Sequence, residues 1–265
     1  MLRKASLDTR RFGALLLLKF DSFPQLKQVT SCRRSFTSIC TTKQSRDDHL
    51  VESTKKWIDL LIVGEKLCPF ALPLINSDAI RIVSSTAQSA AEATKDVAVE
   101  LDLLLRPKMG WKNDIEKTNG LCDGTYNHGE KNRNIPSHET TLIAFDGDFV
   151  RNFHEFVRLS WTLQSDAVVA GGFNHDVQLV LFHPAAKHQT YGTDEPDGNA
   201  TDYTIRSPYP LIHLLREVDV MRAVSGRYPN LADLPSRNKQ KMVAQGLSFC
   251  KNRLLDCYIP KKPGC

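Results

Sequence analysis

The residues best suited to chemistry fall in one polar loop, between an apolar run and an amphipathic segment. Three of the chain's eight histidines lie between Phe182 and Glu217. His183 directly follows the apolar run Val177–Phe182, and Pro184 fixes its exit. The ordinary pKa of a histidine suits proton transfer near neutral pH or metal ligation. We therefore predict His183 as an acid/base group or a metal ligand; the alternative is a histidine that hydrogen bonds to loop carbonyls.

Carboxylates cluster in the same loop, on both sides of Pro196. They belong to Asp194, Glu195 and Asp197. Carboxylates at this spacing can orient a histidine or hold a divalent cation, which prefers oxygen ligands. We predict that Asp194 and Asp197 act with His183, and a divalent cation is the candidate cofactor. The alternative is a simple turn, because an Asp-Gly pair is a turn signal by itself.

A second group of polar residues follows the loop. Ser207 and Pro208 are residue types preferred at the N-cap and first position of a helix, so the pattern predicts a helix over 208–225. On that helix a leucine-rich stripe faces the core, and the polar residues His213, Arg216 and Glu217 share the opposite side. Together with Arg206 and the helix N-terminus they would bind a small anionic substrate, with Glu217 fixing Arg216. The alternative is an ordinary solvated helix face.

Cys68 is a further catalytic candidate with two interpretations. If it ends the first helix, it is a small buried residue, because a helix C-terminus disfavours a thiolate. If Pro69 opens a new helical turn, Cys68 lies at a helix N-terminus, where its pKa is lowered. The seven cysteines form no Cys-x-x-Cys pair, which is typical of reduced thiols rather than of a zinc or redox site.

Familiar catalytic signatures are absent from the sequence. It contains no glycine-rich phosphate loop, no Gly-x-Ser-x-Gly and no His-Glu-x-x-His. Without a nicotinamide or flavin fingerprint, hydrolysis or group transfer is favoured over redox chemistry. The leading hypothesis is an enzyme acting on a small anionic substrate, and the competing one is a non-catalytic module that binds a metal, a metabolite or a partner.

The hydrophobic periodicity predicts the elements that position these residues. A helix ending at Pro69 is followed by strands and helices in alternation over 79–83, 87–105, 140–145, 148–164 and 177–182, then by two helices over 208–225 and 236–257. This order predicts an α/β (or α+β) fold with a small, mainly parallel sheet from a βαβαβ core. Ligands bind such sheets beyond the carboxyl ends of the strands. Those ends are Ser84-Ser85, Asp146 and His183.

The charge distribution separates a leader from the body of the chain. Residues 1–46 contain ten Lys or Arg and two acids, so the remainder of this +5 chain carries about −3. A basic, Ser-rich and acid-poor leader predicts a disordered transit peptide and a mitochondrial location, with plastid or cytoplasm as alternatives. A mildly acidic body argues against nucleic-acid binding. No later stretch is apolar enough to span a membrane.

One domain is predicted over 47–258, followed by a tail over 259–265. Within the domain, residues 106–138 lose all periodicity and are rich in glycine and asparagine. We interpret them as a mobile surface insertion.

The motifs together resemble the DUF1415 family, a domain of unknown function found mainly in bacteria. The matching stretches, within about 48–251, are Trp57, Leu67-Cys68-Pro69-Phe70-Ala71, Phe182-His183-Pro184, Asp194-Glu195-Pro196-Asp197, Asp202-Tyr203-Thr204, Arg206-Ser207-Pro208-Tyr209-Pro210 and His213-Leu214-Leu215-Arg216-Glu217. The leader, the 106–138 segment and Asp202, where the family is expected to carry Asn, depart from the pattern. The resemblance implies no activity, cofactor or substrate.

Overall fold

The computed structural model describes residues 48–105, 138–188, 198–225 and 231–260. The predicted leader over 1–46 and nearly all of the predicted insertion over 106–138 lie outside these ranges. So do Asp194, Glu195 and Asp197 of the central loop.

A four-stranded sheet forms the centre of the described part of the protein. Its strands are β1 (Ile80–Ser85), β2 (Thr140–Phe145), β3 (Val177–Phe182) and β4 (Leu211–Arg216). Their order in the sheet is β1-β2-β4-β3. β1 pairs with β2 in parallel, whereas β4 runs antiparallel to both β2 and β3. The first three strands therefore share one direction, and β4 is inserted between β2 and β3 in the reverse direction.

The α/β class and the βαβαβ order predicted from the sequence are confirmed, but the sheet is mixed rather than mainly parallel. The cause is β4, which was predicted to be part of a helix over 208–225. Leucine and isoleucine occupy 211, 212, 214 and 215, a pattern that fits a helical stripe and a strand buried on both faces equally well. Neighbours on both sides of β4 stabilise the strand, so tertiary pairing decides between the two.

Helices from the two ends of the chain cover one face of the sheet. They are α1 (Asp48–Trp57) with a π-helical extension (Ile58–Val63), α2 (Ala71–Asn76), α6 (Leu234–Gln245) and α7 (Leu247–Leu255). Trp57 and Leu61 pack with Phe182 and Leu211 in this layer. The Trp57 ring meets the Phe182 ring edge-on at 5.0 Å, a contact that adds about 1 kcal/mol beyond its buried area.

The opposite face is covered by α3 (Ala90–Leu105) and α4 (Phe153–Thr162), with a further π-helical extension (Leu163–Val169). Its core contains Leu101, Phe145, Phe156 and Ile212. Residues Ile212 and Leu214 of β4 point to this layer, while Leu211 points to the other. The central strand is thus buried by both layers.

Two further features concern the C-terminal part. α5 (Glu217–Ser225) follows β4 directly and contains no buried residue. The single helix predicted over 236–257 is instead divided into α6 and α7 at Gly246, whose φ of +85° is a conformation that other residues rarely adopt. Across the described residues, no helix is both long and apolar enough to cross a membrane.

Candidate functional site

The segment before β4 lies at the carboxyl edge of the sheet. β1, β2 and β3 end there, and β4 starts there, because Leu211 is in register with Phe182 of β3 and Ala144 of β2. The backbone N–H of His183 donates to the carbonyl of Ile205 at 3.3 Å. The His183 and Arg206 segments therefore meet at this edge of the sheet.

His183 is held entirely by the protein itself. Its side chain is 1% exposed and packs against the rings of Phe153 and Phe156 at 5.4 and 5.3 Å. Its Nδ1 accepts from the N–H of Ala185 at 3.0 Å, so Nε2 carries the proton and donates to the carbonyl of Val150 at 3.0 Å. Burial lowers the pKa of His183 and keeps the ring neutral. This geometry matches the alternative of a histidine bound to loop carbonyls.

Arg206 is enclosed in the same region. Only 6% of it is exposed, its Nε donates to the carbonyl of Ala186 at 3.1 Å, and its guanidinium stacks on the Tyr203 ring at 4.7 Å. Its own carbonyl accepts a hydrogen bond from the indole of Trp57 at 3.0 Å. The family motif residues Trp57 and Arg206, far apart in sequence, thus join α1 to the loop before β4.

Asp202 organises the loop from inside. It is 2% exposed, and its two oxygens accept from the backbone N–H groups of His188 at 2.9 Å and Asn199 at 3.0 Å. Asn199 and Asp202 form a reciprocal capping box around a short helical turn (Ala200–Thr204). An Asn three residues before an Asp is the sequence signal for this arrangement, which the search for catalytic groups missed. A side chain at Gly198 would collide with both Asp202 and Arg206.

His188 is partly buried and belongs to the same group of polar residues. Its Nε2 lies 2.8 Å from the hydroxyl of Thr204, and that hydroxyl donates to the carbonyl of Thr201, so it accepts from His188. Burial is the largest cause that lowers the pKa of His188. We call His183, His188, Asp202 and Arg206 the loop network.

Ser207 does not cap a helix. It is fully buried, and its hydroxyl donates to the carbonyl of Tyr209 at 2.5 Å, which shapes the turn into β4. The predicted anion pocket at a helix N-terminus is therefore replaced by a strand entrance. The chemistry assigned to that N-terminus has no structural basis here.

His213 lies in the middle of β4, opposite Leu142 of β2 and Val180 of β3. Its Nε2 is 2.5 Å from the hydroxyl of Thr140, which itself donates to the carbonyl of Leu214, so His213 is the donor. Desolvation lowers the pKa of His213 from 6.5 to about 4. This histidine is a neutral part of the sheet packing.

Arg216 and Glu217 lie at the opposite edge of the sheet from Arg206. Five strand steps separate Leu211 from Arg216, a distance of about 17 Å. Arg216 donates to Asp219 at 2.5 Å, whereas Glu217 accepts from Gln178. Glu217 therefore does not fix Arg216, and the predicted polar helix face that joined them to His213 does not exist.

The carboxyl edge also carries a small aromatic group near Asp146. His49 Nε2 lies 3.9 Å from a carboxylate oxygen of Asp146, and the His49 ring meets Tyr209 edge-on at 5.7 Å. Tyr209 in turn contacts the ring of Tyr258 at 5.3 Å. Burial raises the pKa of both tyrosines. These rings join α1, the entrance of β4 and the segment after α7.

Cys68 combines features of both sequence interpretations. It precedes α2, and the backbone N–H of Ala71 donates to its carbonyl at 3.4 Å. Burial raises the pKa of Cys68 more than the nearby backbone N–H groups of Phe70 and Ala71 lower it, so the thiol stays protonated at neutral pH.

A hollow opens between the segment around Cys68 and helix α6. Its volume is 410 Å³, within the range of small-molecule sites. The described residues that line it are Glu65, Lys66, Pro69, Leu231, Leu234, Arg237, Asn238 and Lys241. We call it the basic hollow, because three of its side chains are cationic and one is anionic.

The single carboxylate of the basic hollow is already neutralised. Glu65 is buried, and its Oε2 receives Gln245 at 2.6 Å and Lys241 at 3.0 Å, with Arg253 3.8 Å from Oε1. Burial alone would raise the pKa of Glu65, but these hydrogen bonds and charges together lower it, so Glu65 is ionised. Lys241 also donates to the Glu65 carbonyl at 2.5 Å.

Two of the three cationic side chains that line the basic hollow are not bound to Glu65. Among the residues that the structure describes, neither Lys66 nor Arg237 makes an ion pair. Lys66 also adopts a φ of +53°, an uncommon conformation for a residue other than glycine. The nearby backbone is fixed, since Asn238 donates to the Leu67 carbonyl at 2.7 Å. Neither residue carries a signal in the sequence, because Lys66 lies within the predicted first helix and Arg237 within the helix predicted over 236–257.

A metal centre is not evident in the parts of the chain described. No group of three or more His, Cys, Asp or Glu side chains there is arranged to hold a metal ion. The predicted divalent-cation ligands Asp194 and Asp197 lie outside those parts.

The chain matches a known protein family over most of its length. A family model described as "Protein of unknown function (DUF1415)" matches residues 49–118 and 126–252. No curated protein and no solved structure matches the chain. The expected departure of the whole 106–138 segment from the family is wrong, because the family model matches 106–118 and 126–138 and leaves only 119–125 unmatched.

Proposed function

The chain belongs to the DUF1415 family, whose description assigns no activity, and we propose from its own geometry that the protein binds a small anionic molecule in the basic hollow. The observation that carries the proposal is the charge balance of the lining. Glu65 is occupied by Lys241, Gln245 and Arg253, which leaves Lys66 and Arg237 without a carboxylate among the described residues.

Two cations beside a concave surface favour an oxyanion. The planar guanidinium of Arg237 can donate two parallel hydrogen bonds to a carboxylate or phosphate, and Lys66 adds a point charge. The Asn238–Leu67 and Lys241–Glu65 hydrogen bonds hold α6 against the opposite wall. Such preorganisation reduces the entropy lost on binding.

The loop network is a poorer candidate for the anion site than the basic hollow. Both ring nitrogens of His183 are used within the fold, and Arg206 is enclosed by Tyr203 and Ala186. A neutral buried histidine with two fixed partners has no free nitrogen for a substrate proton. The anion is therefore assigned to the basic hollow and not to the loop network.

Calorimetric titration at low ionic strength tests this proposal. The probes are inorganic phosphate, phenyl phosphate, acetate and hexanoate. At least one should bind with a stoichiometry of one, and Arg237→Gln should weaken it about ten- to a hundredfold, as expected for the loss of a charge-assisted hydrogen bond.

Lys239→Gln is the matched control, because Lys239 lies on the same helix but does not line the basic hollow. It should bind the probe as the wild-type chain does. The proposal fails if no probe binds, or if the two variants lose affinity equally.

Group transfer or hydrolysis is a second candidate, favoured by the position of Cys68. Cys68 adjoins Pro69 in the wall of the basic hollow, and the nearby backbone N–H groups of Phe70 and Ala71 favour its thiolate form. Its raised pKa opposes nucleophilic attack in the unliganded protein. Release of phosphate from phenyl phosphate by the wild-type chain, but not by Cys68→Ser, would support catalysis; binding without turnover would support a binding protein.

We also propose a mitochondrial location, supported by the basic, acid-poor composition of residues 1–46. A fluorescent protein fused behind these residues should enter mitochondria. Diffuse fluorescence would overturn this proposal without affecting the others.

A further inference from the structure

We infer that the anion taken by the basic hollow carries an apolar body, so that its class is an amphipathic organic carboxylate or phosphate monoester. The inference rests on the proposed function and specifies its ligand. It derives from the other half of the lining, where Pro69, Leu231 and Leu234 accompany the cations.

The size of the hollow exceeds the needs of an inorganic anion. Its 410 Å³ corresponds to the liquid volume of about fourteen water molecules. Phosphate or acetate would occupy a small part of it and leave water against Pro69 and the exposed edges of Leu231 and Leu234, which are 6% and 7% exposed. An apolar body would displace that water, and each buried methylene contributes about fourfold in affinity.

The charges of the hollow suit one anionic group. Lys241 is committed to the carboxylate and carbonyl of Glu65, so Lys66 and Arg237 are the cations that a ligand can neutralise. The side-chain amide nitrogen of Asn238 already donates to the Leu67 carbonyl, and so contributes less to binding a second anionic group. A single head group with an uncharged body fits these constraints.

A homologous series of carboxylates provides the test: acetate, butanoate, hexanoate and octanoate, titrated calorimetrically into the full chain at constant ionic strength. Affinity should rise about fourfold per methylene until the apolar wall is covered. Hexan-1-ol, which lacks the charge, should bind at least tenfold more weakly than hexanoate.

The outcomes separate the inference from the proposed function. If all four carboxylates bind equally well and Arg237→Gln weakens each of them, the basic hollow binds anions but the apolar body is overturned. If neither the carboxylates nor the phosphates bind, the proposed function fails, and the inference fails with it. Equal binding of hexanol and hexanoate would overturn both.

Two variants test whether the apolar body of the ligand contacts the wall of the basic hollow. Leu231→Ala should reduce the gain in affinity per methylene across the carboxylate series. Leu72→Ala is the matched control, because Leu72 is exposed and lies outside the lining. Thermal unfolding checks that each variant folds, and Pro69→Ala takes the place of Leu231→Ala if that variant does not. An unchanged gain per methylene in the folded wall variant contradicts the inference.

Discussion

The loop network and the basic hollow use the same kinds of side chain in opposite ways. In the loop network, His183, His188 and Asp202 bond to backbone or hydroxyl groups of the protein, and Arg206 stacks on a tyrosine. In the basic hollow, Lys66 and Arg237 line a concave surface without an ion pair among the described residues. A dense set of reactive residue types therefore marks a ligand site only where the fold leaves some of their hydrogen-bonding capacity unused.

The largest expected effect is on stability, from the loop network. Asp202→Ala should lower the free energy of unfolding by about 4 kcal/mol, because it leaves two backbone donors unpaired and removes a buried charge beside Arg206. Urea denaturation measures it. Asp166→Ala, on an exposed position, is the control and should change stability by less than about 0.5 kcal/mol. Equal effects of the two variants would show that the network is not structural.

The next largest effect is a loss of folding stability at acidic pH, which arises from His213. The pKa of His213 is lowered from 6.5 to about 4, so the unfolded chain binds a proton in this range and the folded chain does not. The associated stability is complete above pH 6.5 and falls by about 3 kcal/mol as the pH approaches 4. Urea denaturation at pH 7 and pH 4.5 should show a smaller loss for His213→Gln than for the wild type. His154→Gln, on the exposed side of α4, should behave as the wild type.

Glu65 shares features of both regions. Its carboxylate is buried and already bound by Lys241 and Gln245, like the side chains of the loop network, but it lines the basic hollow. Glu65→Gln should lower the free energy of unfolding by about 2 kcal/mol, through weaker bonds to Lys241 and Gln245. It should also tighten hexanoate binding, because Lys241 becomes available to the ligand. Parallel denaturation and calorimetry measure both effects, with exposed Glu155→Gln as control. Weaker hexanoate binding would contradict the assigned charge balance.

The smallest stability effect is expected in the basic hollow itself. Arg237→Gln should change the free energy of unfolding by less than about 0.5 kcal/mol, because the side chain is exposed and makes no ion pair in the described parts of the protein. Its effect should appear in ligand affinity alone. A stability loss comparable to that of Asp202→Ala would mean that Arg237 is a structural residue.

The elements whose apolar residues follow one clear spacing, either helical or strand-like, could be predicted from the sequence. β2 and β3 have the predicted bounds, and α3 occupies most of the helix predicted over 87–105. β4 was missed because Leu211–Arg216 satisfies two periods at once, and Ser207-Pro208 adds a helix signal that the fold uses as a turn. Only pairing with β2 and β3, which lie far away in sequence, determines its conformation.

The two candidate sites could likewise be predicted only in part from the sequence. The sequence predicted that His183 follows a strand, but whether its ring nitrogens are free depends on the carbonyl of Val150, which no local pattern reveals. The basic hollow depends on the contact of Glu65 with Lys241, residues separated by most of the domain. Charge patterns show which residues are cationic, whereas only tertiary structure shows which of them are already neutralised.

The central position of β4 has a consequence for synthesis on the ribosome. Among the described strands, β3 is joined to the sheet only through β4, which comes after it in the chain. At roughly 10 residues per second, β3 emerges a few seconds before its only neighbour among those strands. During that interval Val177–Phe182 exposes an apolar strand with unpaired backbone groups, a target for chaperones and for aggregation. Ribosomal pausing within the intervening loop would lengthen this exposure and lower the yield of folded protein.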